Sequence, residues 1–268
     1  MQLQKQLIHT PAHFFADQED VCQFEIDRRR PLLIENRLFE PDNILVERRN
    51  FHVRIADTQC VQSQVNALIS RMYAWRGYRL AAAETRVPLK QTTLQACDGR
   101  DTLGTLTLNI DSENGLLADD LYHREVDALR KRDATVCELT GLAVSAQFGS
   151  SELLATLFHL LHIIGRRLHR ATDAVIEINP RHALYYQRAL GFRPIGERRI
   201  CGRVNAPAIL LHIEADFVEE QISRYAGGRN KTGHSLYPYF FSSGETELIS
   251  QRILGPDHPF PASRETHN

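Results

Sequence analysis

The chain has 268 residues, 43% of them apolar, and a formal net charge of −1 at pH 7. That length suits one generous domain with attachments, and the near-neutral charge gives no overall pull toward nucleic acid. No uncharged apolar run reaches the length needed to span a membrane; the longest candidate, residues 153–164, contains His159 and His162 and runs on to Arg166 and Arg167. The N-terminus lacks the regions of a secretory signal. Cys22, Cys60, Cys97, Cys137 and Cys201 form no C-x-x-C pair, so the expectation is a cytoplasmic protein with free thiols.

Residues 1–50 are polar and broken by Pro11, Pro31 and Pro41, which reads as an arm. Alternation over 51–56 predicts a half-buried strand. Val61, Val65, Leu68, Ile69 and Met72 fall at helical spacing and predict an amphipathic helix to about Gly77, with Arg71 and Arg76 near its end. Residues 92–96 and 102–109 predict two strands joined through Asp98-Gly99, a hairpin signal. A second amphipathic helix is predicted from 117 to about 131. Glu125 falls inside its apolar half, where a carboxylate is costly unless it is paired or faces a wet cleft.

Residues 135–144 predict a central strand, which leads through a turn at Gly149 into a helix over 151–167. A strand feeding a helix N-terminus aims backbone N–H groups and a positive dipole at one point, which suits an anionic or carbonyl-bearing ligand. A strand over 175–179 follows, then a short helix over 183–189 with Tyr185 and Tyr186, then Leu190-Gly191-Phe192, then a last strand over 204–213. His159 and His162 stand three apart on one helix, but no further ligand lies at a recognisable offset and no metal is expected. Beyond Phe217 a glycine-rich loop precedes Tyr237-Pro238-Tyr239-Phe240-Phe241, a run too aromatic to be left in water. It either packs on the main domain or lines a pocket.

Five strings, in order, carry a resemblance: Gly104-Thr-Leu-Thr-Leu108; Glu125 with Leu129-Arg130; Glu138-Leu-Thr-Gly-Leu-Ala-Val144; the Asn179-to-Phe192 stretch NPRHALYYQRALGF; and VNAPAILL from Val204. Together they resemble the long-chain N-acyl amino acid synthases, relatives of the autoinducer synthases among the GNAT acyltransferases, over residues 51–217. The resemblance implies an α/β GNAT fold, a mixed central sheet flanked by helices. Residues 1–50 would be an arm, 51–217 the acyltransferase domain and 218–268 an extension packed on it. It also implies transfer of a long-chain fatty acyl group from acyl carrier protein to the amine of an amino acid. The co-substrate is acyl-phosphopantetheine, with acyl-coenzyme A as the alternative donor, and no cofactor is held permanently.

By the same resemblance Glu138 is the general base and Tyr186 the proton donor to sulfur. Tyr185 is the second choice; the family usually places this tyrosine four residues before Gly-Phe, one fewer than the five that separate Tyr186 from Gly191. Leu142, Ala143 and Val144 would offer amides to the thioester, while Gly149, Ser150 and Asn179 would complete the donor site. Arg71 and Arg76 are candidates for the acceptor carboxylate through guanidinium pairing, or else they complement the helix dipole. Glu125 stands near the acceptor amine or in a structural ion pair.

One segment departs from the coenzyme A-dependent relatives. Gln147-Phe148-Gly149-Ser150-Ser151-Glu152 is short of the glycines that cradle a pyrophosphate, which favours a carrier-bound phosphopantetheine. Gly141, where autoinducer synthases usually carry arginine, argues against a homoserine-lactone acceptor. Two basic clusters, Arg130-Lys131-Arg132 and Arg166, Arg167, Arg170, are candidates to steer an acidic carrier. A coenzyme A-dependent N-acetyltransferase and a non-catalytic binding module remain as alternatives.

Overall fold

The computed structural model describes residues 44–78, 90–99, 101–228 and 233–255. Cys22 and most of the expected arm lie outside the described residues. Within them β1 (Ile44–Glu47), β2 (His52–Ile55), β3 (Lys90–Asp98), β4 (Asp101–Ile110) and β5 (Val136–Val144) run antiparallel to their neighbours. β5 then pairs in parallel with β6 (Asp173–Ile178), which pairs antiparallel with β9 (Ala206–Glu214). Two short strands, β7 (Arg193–Pro194) and β8 (Arg199–Cys201), both attach to β9. Strand β1 was not expected, since its four residues are too few for a period to show.

Two helices cover one face of the sheet. α1 (Gln59–Trp75) starts on Thr58, whose hydroxyl accepts from the Val61 amide, and buries Val61, Val65, Leu68 and Met72. α2 (Asp119–Arg130) packs Tyr122, Val126 and Leu129 against Val136, Val175 and Leu210. It is shorter than the period suggests and breaks at Tyr122, whose φ of −125° and ψ of 31° are not helical. The other face carries α3 (Ser151–Ile163), which passes into a π-turn at Ile164–Leu168. α4 (Ala183–Leu190) follows β6 and ends at Gly191, whose φ is +89°. An added Cβ there would strike the Phe217 ring at 2.4 Å.

Chain past the last long strand was read only as a loop and an aromatic run, yet it forms α5 (Ala215–Tyr225) and α6 (Ser243–Leu254). Between them the aromatic run crosses α3. Leu236 N donates to Ala189 O at 2.9 Å and Phe241 N to His159 Nδ1 at 3.0 Å, while the Tyr237 hydroxyl donates to Leu190 O at 2.7 Å. α6 opens on a capping box of Ser242 and Glu245 and is tied to the β1 region by the Arg48–Glu245 ion pair and by Arg252 donating to Leu45 O.

The feature that positions the site is in β5. Thr107 pairs with Thr140 and Thr105 with Ala143, so β5 holds one residue more than β4 across this interval. Gly141, at φ +62°, takes up the bulge. Alternation reverses there: Val136, Glu138 and Thr140 face α1 and α2, whereas beyond the bulge Ala143 takes that face and Val144 turns to α3. The parallel pairing with β6 ends at Leu139 and Ile176, so Thr140 to Val144 run on without a β6 partner and leave a gap between the two strands. A Cβ at Gly141 would sit 3.2 Å from Thr107 Oγ1 and 3.4 Å from Ile69 Cδ1, in addition to the left-handed backbone strain. Gly141→Ala should therefore cost about 1–2 kcal/mol, read as a melting point lower by a few degrees, with activity falling alongside it.

Candidate active site

Glu138 sits three residues before the bulged glycine on the α1/α2 face and is 0% exposed. Its Oε2 accepts from the Leu117 amide at 2.8 Å, and its Oε1 has no hydrogen-bond partner among the described residues. Burial pushes the carboxyl up to about 8, against the lowering effect of the Leu117 amide and the Arg203 charge. Near neutral pH such a group exchanges a proton readily, which is what a general base requires. Directly across the β4–β5 ladder stands Asn109, 1% exposed. Its Nδ2 donates to Thr140 Oγ1 at 3.1 Å, and its Oδ1 is likewise buried without a partner. Neither oxygen meets a donor among the described residues.

Leu117 is gripped from both sides. Its amide holds Glu138, and its carbonyl accepts from Arg203 Nη1 at 2.8 Å. Arg203, in the turn between β8 and β9, also reaches Asp120 at 2.7 Å and Glu177 of β6 at 2.9 Å. Glu177 and Arg203 were not singled out in the sequence. The usable signal was two-residue spacing on β6, which puts Glu177 on the same face as Val175 and therefore beside Glu138.

Tyr73 and Arg76 at the end of α1 face this region. Burial raises the Tyr73 phenol, with the charges of Arg76 and Arg203 opposing, and burial lowers Arg76 against Tyr73, Tyr78 and Tyr186. Tyr186 is buried, packed edge-on against Phe158 and Phe192, and raised by burial with smaller contributions from Tyr185 and Tyr73. Tyr185 is half-buried, and burial alone pushes it up to about 12. Arg76 and Tyr186 thus stand close enough to influence each other's ionisation, and Tyr73 links Arg76 to Arg203, which in turn acts on Glu138.

Other candidates are placed differently. Arg71 is exposed and lies about 140° around α1 from Arg76 at 100° per residue, so the two do not converge. Glu125 is engaged by Arg199, with Nη2 at 2.6 Å from Oε1, and the same guanidinium stacks on Tyr122. That carboxylate is held at the α2–β8 seam. Each basic cluster has one arginine committed to carboxylates: Arg130 is bound by Asp111, Asp119 and Asp127, and Arg166 by Asp216 and Glu219. Arg166 also lies about 20 Å along α3 from its N-terminus, at 1.5 Å per residue.

On the donor side, Leu142 is half-buried and Ala143 and Val144 are buried along the gap. Ser150 caps α3 by accepting from Leu153 N at 3.1 Å, which leaves its hydroxyl proton free to donate, and Gly149 beside it is exposed. Asn179 Oδ1 accepts from Arg181 N at 3.2 Å at the end of β6. On the α3 face a small apolar cavity of about 60 Å3 is lined by Leu139 and Ala174 from the sheet, Phe158 and Leu161 from α3, and Tyr237 and Phe240. The sheet therefore stands between the buried Glu138–Asn109 pair and an apolar cavity, and the β5–β6 gap begins beyond Leu139.

Among His, Cys, Asp and Glu groups, Asp119, His123 and Asp127 bring ligand atoms within 4.8 Å of one another, but both aspartates are bound to Arg130. His159 Nδ1 is taken by Phe241 N. No described helix is long and apolar enough to cross a membrane.

Residues 64–214 match the model of the N-acyl amino acid synthase FeeM family. The chain belongs to this family. Among solved structures it is similar to FeeM, an N-acyl amino acid synthase from uncultured soil microbes, at 26% identity over 65% of this chain and 94% of that one, with a TM-score of 0.58. An N-acetyltransferase from Staphylococcus aureus Mu50 matches at 13% identity over 62% and 98% of the two chains, TM-score 0.43. The CoA-dependent acyl-homoserine lactone synthase MesI matches at 15% over 66% and 91%, TM-score 0.47. No curated protein matches. The FeeM-family chain is thus an N-acyltransferase with the GNAT fold.

The buried carboxyl leads to a pH prediction. Because folding raises the pKa of Glu138, the native state keeps a proton that the unfolded state releases, so this residue's contribution to stability is full below about 4.5 and is lost as pH rises through about 8. Glu138→Gln should melt higher than the parent at alkaline pH, with the difference closing in acid. Its activity should fall by about 10² to 10⁴, and the rise of rate with pH toward 8 should disappear.

Proposed function

We propose that this N-acyltransferase moves a fatty acyl group from acyl carrier protein to the α-amine of an amino acid. The observation that carries the reading is the buried Glu138 Oε1, an acceptor with no partner among the described residues, three residues before the bulged glycine beside the β5–β6 gap. The acyl-pantetheine lies in that gap, its thioester beside Leu142 to Val144 and its chain in the apolar cavity on the α3 face. The amine approaches from the other face and donates to Glu138 Oε1, with Asn109 Oδ1 alongside. Arg76 supports the acceptor carboxylate.

The reaction then follows from these positions. The amine nitrogen forms a bond to the thioester carbonyl carbon while Glu138 takes its proton. Backbone amides of β5 support the oxyanion. The C–S bond breaks as the carbonyl re-forms, and Tyr186 supplies the proton to the departing sulfur. Its raised pKa keeps the phenol protonated until that step. The carrier donor is supported by the Gln147–Glu152 segment. It offers a capped helix N-terminus with Gly149 and Ser150, room for one phosphodiester, and an acidic Glu152 in the first turn where a pyrophosphate would be repelled.

The test is a purified-protein assay with matched acyl-carrier and acyl-coenzyme A donors and a panel of amino acids, with products identified by mass spectrometry. N-acyl amino acids formed with a higher kcat/KM from the carrier are expected. Equal use of both donors would overturn the carrier assignment, and acetylation of a small amine from acetyl-coenzyme A alone would replace the reading with the acetyltransferase one. Tyr186→Phe should lower kcat with little change in the acceptor KM, the signature of a group that acts only in the transition state. A silent Tyr186→Phe beside a damaged Tyr185→Phe would move that role by one residue.

A further inference from the structure

Residues 236–241 lie beyond the family match, which ends at 214, yet they form a wall of the cavity through Tyr237 and Phe240. They are not loosely laid. Leu236 N and the Tyr237 hydroxyl are bound to Ala189 O and Leu190 O at the end of α4, Phe240 O accepts from Gly227 N at 3.1 Å, and Phe241 N is bound to His159 of α3. Tyr237, Phe240 and Phe241 are all buried.

His159 is an unusual anchor. It is 0% exposed, its ring is stacked between Phe240 at 4.6 Å and Phe241 at 5.0 Å, and its Nδ1 is the acceptor for the Phe241 amide. The ring must then carry its proton on Nε2, which is buried with no partner among the described residues. Burial, with the charges of His162 and Arg48, keeps the imidazole neutral and so keeps Nδ1 available. An unsatisfied polar atom is costly in a core, and a leucine would fill this space without that cost. The histidine is explained by the hydrogen bond it accepts: it fixes where the strap lies.

We propose that this strap gauges acyl length: Phe240 and Tyr237 set how long a fatty chain the cavity admits, and His159 is the positioning residue that holds them at that distance. The inference rests on the reading of the cavity as the acyl site. Leu139, the last β5 residue paired with β6, lines the cavity, so the chain's entrance coincides with the start of the gap where the thioester lies.

The experiment measures kcat/KM over a series of saturated acyl-carrier donors of increasing length, together with the N-acyl product profile. Phe240→Ala should move the preferred length upward, with roughly fourfold relative gain for each further methylene that finds room. Leu161→Trp, which fills the cavity from α3, should move it downward. His159→Leu should broaden the profile, and His159→Gln, which retains an acceptor, should restore part of the discrimination; a merely structural residue would change the melting point without changing the profile. Should Phe240→Ala fold poorly, the milder Phe240→Leu carries the same test with a smaller shift. If Leu161→Trp shortens the preferred chain while neither Phe240 variant alters it, the cavity reading stands and the strap inference falls. If the parent protein forms no N-acyl product from any donor, both fall together.

Discussion

The site depends on one residue inserted into a strand. With an unbroken β5, alternation would carry the Glu138 face on through Leu142 and Val144. Gly141 resets that alternation, which turns Val144 toward α3 and brings Ala143 to the Glu138 side. A regular strand would also be able to continue its ladder with β6, and the gap would close. The left-handed backbone at Gly141 therefore accompanies both the opening of the gap and the change of face along β5. Thr105 secures it by donating its hydroxyl to Gly141 O at 2.7 Å.

The second constraint is electrostatic. An isolated carboxylate in a protein core is expensive, and such a group either finds partners or takes up a proton. Glu138 is held between these outcomes: the Leu117 and Ala118 amides and the Arg203 charge favour the anion, while burial and Glu177 oppose it. Arg203 is correspondingly committed to Glu177, Asp120 and the Leu117 carbonyl, so it moderates the carboxyl without forming a salt bridge to it. Removing Arg203 would release the loop that supplies the Leu117 amide and the nearby positive charge at the same time.

Much of this was legible in the sequence, and the gaps have physical causes. Period-2 and period-3.6 patterns and apolar runs marked β2 to β6, β9 and helices α1 to α4, the one-sided α1 and α2 by period and the fully covered β4 and α3 by their apolar content. Glu138, Tyr186 and Arg76 came from local strings, and each is at least partly buried. Arg71 is not, because proximity in sequence says little about facing on a helix. Glu177, Asn109 and Arg203 went unnoticed because their importance arises from cross-strand neighbours, a relation that a single strand's pattern does not contain. α6 carried a plain start signal in Ser242 and Glu245, overshadowed by the aromatic run before it. β1 was too short to read.

The Arg130 cluster has a consequence for how this enzyme can be mapped. Asp119 accepts from the Leu116 amide at 2.7 Å and is held by Arg130, and its carboxyl lies below the usual range because these hydrogen bonds outweigh the effect of burial. Leu117, the next residue, supplies the amide that holds Glu138. Two consecutive amides are thus clasped by two carboxylates, one anchored to a surface-reaching guanidinium and the other buried beside the bulge. A lesion at Arg130 would be transmitted through Asp119 and the Leu116–Leu117 amides to the position of Glu138. An alanine scan would then register at Arg130 an effect that arises at a buried carboxyl elsewhere.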